Sequence, residues 1–290
     1  GHDEQRRGHM TYIDQVKVLP LGRQEGRVSA VSAPPGAAAP MLSLRQISRR
    51  FGPIEALAGI DLDVRPREVV ALVGDNGAGK STVAKVISGA LQPDAGFILL
   101  DGRQVTVTSP KAATELGIAA VFQDPALCDN LSVVANIYLG RELRVRPGGP
   151  LDEERMVVEA REILGGLTSG LTSVRRPVRE LSTGQRQAVA IARTLTSRPR
   201  IVVLDEPTSS LSVVQTAEVL TLIGRLRDMG LGVVLISHDL SDVLAVADRV
   251  EVLRHGRNNG SYDAAWTTQE EIVGAITGAS RSGATARALY

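Results

Sequence analysis

The chain has 290 residues, long enough for one large domain or two small ones around a substantial core. Its 33 Lys and Arg against 32 Asp and Glu leave a net charge of +1, which excludes the whole-chain basic field that gathers nucleic acid. The lone Cys128 excludes an internal disulfide and suits a reducing cytoplasm, and no window reaches the roughly 18 to 20 apolar residues that span a bilayer, so a soluble chain is expected.

In chain order, residues 1–40 stand apart. GHDEQRRGHM lacks the apolar centre of a signal peptide, GHM at 8–10 reads as a tag remnant, and SAVSAPPGAAAP at 29–40 has the composition of a flexible linker. The fold is expected over 41–280, with a tail at 281–290. From Met41 onward, short apolar runs alternate with helix-length segments: VVALVG then KSTVAKVISGAL, IAAVF then LSVVANIYLG, IVVLDE then VQTAEVLTLIGRL, GVVLIS then DLSDVLAVA. Continuous apolar runs of four to six residues between helices are what a parallel sheet covered on both faces produces. The predicted class is therefore α/β, doubly wound. Residues from about 126 to 197 carry helical patterns without a convincing strand, which predicts an inserted helical subdomain.

The chemistry concentrates in a few short stretches. VALVGDNGAGKST at 70–82 matches GxxxxGK[ST] between an apolar strand and an apolar-periodic helix, the setting of a phosphate loop. Glycines let backbone N–H groups turn inward around phosphates, the helix N-terminus adds a favourable field, Lys80 reaches the outer phosphates, and Ser81 is placed to ligate Mg²⁺. The candidate nucleotide ligands here are Gly74, Asn76, Gly77, Ala78, Gly79, Lys80, Ser81 and Thr82. LSTGQ at 181–185 opens a second helix, and its Ser182 hydroxyl, Gly184 and first-turn N–H groups make a second anion-binding end. Serving it in cis would require the insert to fold back over the chain's own phosphate loop; a second copy placed head to tail is simpler. RIVVLDEPTSS at 200–210 ends a strand in two carboxylates, at the edge where open α/β sheets bind ligands. Asp205 would hold the Mg²⁺ shell, and Glu206 would orient and polarise a water behind the γ-phosphate. Read alone, Gln123 in VFQDP is a turn residue, and His238 in ISHDL sits between the capping types Ser237 and Asp239.

These stretches, in this order, resemble the nucleotide-binding subunit of an ABC (ATP-binding cassette) transporter over roughly residues 42–280. The matching elements are GDNGAGKS at 74–81, Gln123, the signature LSTGQ at 181–185, the strand IVVLDE at 201–206 and the switch histidine His238. The resemblance implies a P-loop NTPase core, mostly parallel with helices on both faces, plus an antiparallel β subdomain and the inserted helices. It further implies ATP sandwiched between one copy's phosphate loop and the other's signature turn, which adds Gln185 to the contacts, and Mg²⁺ held by Ser81, Gln123 and Asp205. Phe51 would stack on adenine, Gln123 would also touch the attacking water, and His238 would contact the γ-phosphate; with Glu206 these form the implied catalytic set. The implied partners are a second ATPase subunit, transmembrane permease subunits and, indirectly, a solute-binding protein. The implied location is the inner face of the cell membrane, held peripherally.

Two positions depart from the family's commonest pattern. Thr183 stands where the signature usually has its first glycine, which is tolerable if its φ is negative. Ser212 stands where an aspartate often makes a contact across the dimer. The segment FQDPALCDNLSVVANIYLGRELR at 122–144 and the neighbouring SPKAATELGIAAVF resemble the sugar-importer branch of ribose, xylose or fructose type, with one cassette in this chain. The apolar stripe of LSVVANIYLG would then lie where a permease helix docks. Other cargo, such as amino acids, and a slow or inactive nucleotide switch are the alternative readings, the latter separated by a measured ATPase rate. A DNA-repair ATPase head would need coiled-coil arms, for which the interval 123–182 has no room.

Overall fold

The computed structural model describes residues 39–279 except 125, 168–170 and 172; most of the expected N-terminal extension and the tail at 281–290 lie outside the described residues. Strands β1 (Leu42–Phe51) and β2 (Ile54–Val64) form an antiparallel hairpin, joined through β1 to β4 (Ala95–Leu100) and then β5 (Arg103–Val105). The larger sheet has the order β10-β9-β3-β8-β7-β6. In it β3 (Val69–Val73), β6 (Ile118–Val121), β7 (Ile201–Asp205), β8 (Gly232–Ile236) and β9 (Arg249–Arg254) run parallel, and β10 (Arg257–Asp263) closes one edge antiparallel. The α/β class is as the apolar runs require.

Side chains alternate between two apolar clusters along β7 and β8, central parallel strands that are buried at every position. Val202 and Leu204 of β7, with Val233 and Leu235 of β8, pack against α5 (Thr183–Leu195) and α6 (Val213–Asp228). Their neighbours Ile201, Val203, Val234 and Ile236 face α1 (Lys80–Ile87) and the antiparallel sheet. A strand buried on both sides has no polar positions, which is why its sequence reads as an unbroken apolar run. Two further helices, α7 (Leu240–Val246) and α8 (Gln269–Thr277), cover β3 and β9 near the sheet edge, and α2 (Pro110–Glu115) precedes β6.

Between β6 and β7 the chain leaves the sheet to form α3 (Val133–Tyr138), α4 (Glu153–Leu167), a 3-10 turn (Val178–Glu180) and α5. Isolated bridges Ser132–Pro177 and Arg144–Leu151 are the β pairings of this segment among the described residues. Val133, Ile137 and Tyr138 of α3 turn inward against Met156, Val157 and Leu164 of α4. The stripe in LSVVANIYLG thus makes core for the insert, and Leu139, 44% exposed, is left at its outer end.

A buried ionic cluster ties the two sheets together. Arg249 of β9 donates to Glu68, just before β3, at 2.9 Å, to the Asp63 carbonyl of β2 at 2.5 Å, and to Glu251 two residues along its own strand. Ser261 of β10 donates to Glu251 at 2.8 Å. Burial pushes the Glu251 carboxyl above the usual carboxylate range, against the opposing pull of Arg249. Removing one member of such a cluster strands charges in low dielectric, so Arg249→Met should cost about 3–5 kcal/mol in urea denaturation near neutral pH. A carboxyl whose folded pKa is raised stabilises the fold at low pH and loses that contribution as pH rises through it. The variant, with Glu251 raised further, should therefore show a smaller penalty in mild acid than at neutrality.

Candidate functional site

The site is set by strand register. Leu72 of β3 pairs with Ile236 of β8, and Ile236 pairs on its other side with Asp205 of β7. The three strands therefore end level, and the residues just beyond them emerge side by side: Gly74 from β3, His238 from β8 and Glu206 from β7. The Glu206 N–H extends the ladder by donating to the Ile236 carbonyl at 2.9 Å.

Beyond β3 the chain wraps into α1. Gly74 has φ 150°, and a Cβ there would lie 2.2 Å from the Leu253 carbonyl oxygen; Gly79, at φ 104°, caps α1 with a Cβ position 2.7 Å from the Ala56 carbonyl. Both conformations and both approaches require glycine. Asp75, Asn76 and Gly77 are exposed, whereas Ala78, Gly79 and Lys80 are buried. No atom lies within 4 Å of where a side chain at Gly77 would begin, so the outer face of the loop is open to a ligand. Lys80 Nζ folds back to donate to the carbonyls of Gly74 at 2.7 Å and Asp75 at 3.0 Å, bracing the loop. Burial pulls its pKa below that of an ordinary lysine, against Glu206, Asp75 and Asp205. At the next positions are Ser81 and the half-buried Thr82.

Ser81 Oγ donates to Asp205 Oδ1 at 3.2 Å, bridging α1 to the end of β7. Burial raises the Asp205 pKa, opposed by Ser81, Lys85 and Lys80. A hydroxyl and a carboxylate are hard oxygen donors and suit Mg²⁺. Mg²⁺ held by one or two protein oxygens takes its remaining ligands from substrate phosphates and water. The donor set and the open loop fit a magnesium-bound nucleotide.

One residue further, Glu206 stands at φ 54°, in the left-handed region that non-glycine residues occupy at a cost. Its Oε2 lies 2.6 Å from His238 Nδ1. The contact joins the ends of β7 and β8 through the two side chains. His238 is held by backbone instead of burial: the next residue, Asp239, caps α7 by accepting from the N–H groups of Ser241 and Asp242. Gln123, two residues past β6, shares a cavity of about 430 Å³ with Asp129, Thr183, Arg186, Glu206 and Ser209. The start of α5 and the Gln123 segment thus border Glu206 through one shared cavity.

Ser182 is the N-cap of α5 and forms a capping box: its Oγ accepts from Gln185 N–H at 3.2 Å, while Gln185 Oε1 accepts from Ser182 N–H at 3.1 Å. The Gln185 side chain is thus engaged in shaping the turn. The N–H groups of Thr183 and Gly184, in the first turn, have no intrahelical acceptor. Thr183 begins the helix and does not have positive φ, so the departure from glycine costs no strain. Gly184 is the position where a side chain is restricted, its Cβ site lying 3.2 Å from Gln215 of α6. Ser212 caps α6 with a second box to Gln215. The Ser212 oxygen is thus engaged in holding its own helix. Phe51, 47% exposed at the end of β1, carries the Arg49 guanidinium 5.2 Å from its ring centroid.

Several contributors gave no sequence signal of their own. The carbonyls of Gly74 and Asp75 hold Lys80, Leu253 and Ala56 fix the loop's glycines, and Asp129 salt-bridges Arg186 of α5 at 2.7 Å. Backbone groups and neighbours brought by distant strands leave no motif.

Known proteins resemble this chain in sequence and in fold. A family model described as ABC transporter matches residues 57–209. The chain is 42% identical over 247 residues to a ribose import ATP-binding protein, RbsA 2, of Burkholderia pseudomallei, covering 84% of this chain and 48% of that one. It thus spans about half the length of that relative. It is 39% identical over 237 residues to the xylose/arabinose import ATP-binding protein XylG of Sulfolobus acidocaldarius, covering 82% of this chain and 94% of that one. Among solved structures, a dimeric post-hydrolysis state of an ATP-binding cassette bound to ADP and Pi is similar at TM-score 0.64 and 26% identity, over 77% of this chain and 99% of that one.

The capping box gives a direct test of the α5 start. Ser182→Ala removes the acceptor for Gln185 N–H and should cost about 1 kcal/mol of stability. Ser182→Asp, which keeps a capping oxygen, should recover most of it; equilibrium urea unfolding of the two variants reads the difference.

Proposed function

The chain belongs to the ABC transporter family, and from that premise we propose that it is the ATP-binding and ATP-hydrolysing subunit of a membrane importer for a monosaccharide. The observation that carries this reading is the level termination of β3, β8 and β7, which sets the Lys80 loop, His238 and Glu206 in one line with Asp205 bonded to Ser81. Fold alone would say little about chemistry; the site is what argues for hydrolysis.

In this reading ATP is the substrate. Its phosphates sit against the N–H groups of residues 74–82, at the α1 N-terminus, with Lys80 turning from its loop carbonyls toward the outer phosphates. Ser81, Asp205 and Gln123 would hold Mg²⁺, which would supply neutralisation of the phosphate charge. Glu206 orients a water in line with the γ-phosphate, and His238, bonded to Glu206 through Nδ1, fixes that carboxylate and offers its ring to the γ-phosphate. Phe51 offers the adenine an exposed face. The terminal phosphate is completed by Ser182, Thr183 and Gly184 of a second copy placed head to tail, a simpler arrangement than an insert folded back over the chain's own phosphate loop. A dimer with two ATP at its seam results, its opening and closing passed to permease subunits that receive sugar from a solute-binding protein. Among the described residues no helix is long and apolar enough to cross a membrane. The importer reading itself proposes a peripheral location, on the cytoplasmic face of the permease. The sugar assignment rests on the names of the ribose and xylose/arabinose import relatives.

Two experiments test the reading. Lys80→Ala should weaken MgATP binding by at least about a hundredfold, from loss of a charge-assisted contact to phosphate and of the brace within the loop; unchanged affinity by titration calorimetry would remove the phosphate-loop assignment. Glu206→Gln should leave ATP bound but unhydrolysed and yield a dimer with MgATP in size-exclusion chromatography. Monomeric elution at saturating MgATP would count against the sandwich.

A further inference from the structure

Asn136 is fully buried inside the six-residue helix α3, among Val133, Ile137 and Tyr138. Asparagine is a weak helix former and its amide is costly to bury, so the position needs a reason. The reason is in its bonds. Oδ1 accepts from Cys128 N–H at 2.7 Å, and Nδ2 faces the carbonyls of Cys128 at 3.0 Å, Ser132 at 3.1 Å and Leu131 at 3.3 Å. One amide thus takes both backbone groups of Cys128 and closes residues 128–132 into a rigid loop. The opposite amide orientation would set the oxygen against three carbonyls, so the network fixes the assignment.

That loop is the bridge between the Gln123 segment and the signature helix. On one side it continues back through Leu127 and Asp124 to Gln123, all lining the cavity beside Glu206. On the other it is bonded to the chain leading into α5: Arg179 N–H donates to Asp129 O at 3.0 Å and Val178 N–H to Leu131 O at 3.0 Å. Arg186 of α5 pairs with the Asp129 carboxylate at 2.7 Å, and Arg193 donates to Ala126 O at 3.1 Å. The ion pair of Asp129 with Arg186 lies toward the surface; the clamp itself is neutral amide to backbone.

We infer that Asn136 is a positioning residue: by clamping residues 128–132 it makes the Gln123 loop and the start of α5 move as one body, with Asp129–Arg186 as the outer tie. The clamp belongs to the fold whatever the chain hydrolyses, and its kinetic consequence rests on the ATPase reading above. Without it, Gln123 and the Ser182 turn would each keep their own local structure and lose their fixed separation. Nucleotide would still bind to the phosphate loop, while assembly of the complete site would become less frequent.

The test compares three variants of the full chain. Asn136→Leu keeps side-chain size and removes the clamp. Ile137→Ala, the adjacent buried residue, lowers stability without touching the loop's bonds. Arg186→Gln cuts the partly exposed outer tie and supplies an answer should Asn136→Leu fail to fold. At a temperature where each is fully folded, Asn136→Leu should lower kcat about tenfold and Arg186→Gln about threefold, with KM for MgATP and ATP affinity within about twofold, whereas Ile137→Ala should keep kcat within about twofold. Amide hydrogen exchange should rise at residues 182–187 as well as 126–131 in Asn136→Leu and Arg186→Gln, and at neither segment selectively in Ile137→Ala. Equal kcat loss in Ile137→Ala, or exchange at 182–187 that stays at the wild-type rate in Arg186→Gln and any folded Asn136→Leu, overturns the inference. A wild-type chain that turns over no ATP while exchange responds as described would instead overturn the ATPase reading and leave the clamp standing.

Discussion

Three parallel strands ending at the same level is the constraint on which the rest of this molecule depends. Because Leu72, Ile236 and Asp205 share one register line, the residues just beyond them have no freedom to separate. A slip of one residue in β7 would exchange its two faces, turning Val202 and Leu204 toward α1 and Asp205 into the core. Register is therefore fixed by apolar packing on both sides of the sheet, and the site inherits that precision at no further cost. The contact between Ser81 and Asp205 then pins α1 to the same edge.

The edge concentrates local strain that the sheet has to hold. Glu206 is in the left-handed region, Lys80 is buried with its pKa drawn down, and Asp205 is buried with its pKa drawn up. Each is unfavourable by itself, of order 1–3 kcal/mol for the backbone term. They persist because Glu206 N–H is committed to Ile236, Lys80 to two carbonyls and Asp205 to Ser81. The exposed parts of the site are those that would face a ligand: Asn76, Gly77, Ser81, Phe51 and His238.

Legibility in the sequence depended on how local each feature is. The α/β class was readable because strands buried on two faces write continuous apolar runs, and the helical character of the stretch between β6 and β7 because its segments carry helical periodicity with no strand-like apolar run among them. The carboxylates at the end of IVVLDE, the glycines of 74–79 and the Ser182 cap were readable for the same reason, each being a run of a few residues whose chemistry is set by neighbours in the chain. The proximity of His238 to Glu206 was readable only by resemblance, since it depends on β8 lying between β3 and β7. What was hidden needed three dimensions: Leu253 crowding Gly74, Arg249 joining two sheets, and Asn136, which looks like one polar residue in an apolar helix. The stripe LSVVANIYLG was ambiguous for a physical reason. A single amphipathic face cannot say whether it covers its own subdomain or a partner, and here α4 takes most of it.

Thr183 and Ser212 show how the signature region tolerates change. A glycine is needed where a backbone turns left-handed or where another helix presses close, and in α5 the second condition falls on Gly184 against Gln215, not on position 183. Ser212 uses its hydroxyl on Gln215 N–H, so one residue, Gln215, both caps α6 and limits α5. The two helices that begin beside Glu206 are thereby coupled through a side chain that touches no ligand. Any movement that shifts the start of α5 must be accommodated at the start of α6, immediately after the loop that carries Glu206. The segment most exposed to solvent at that point, Val213 and Val214, is apolar. Ser212 leaves this corner without a carboxylate while its hydroxyl caps the start of α6.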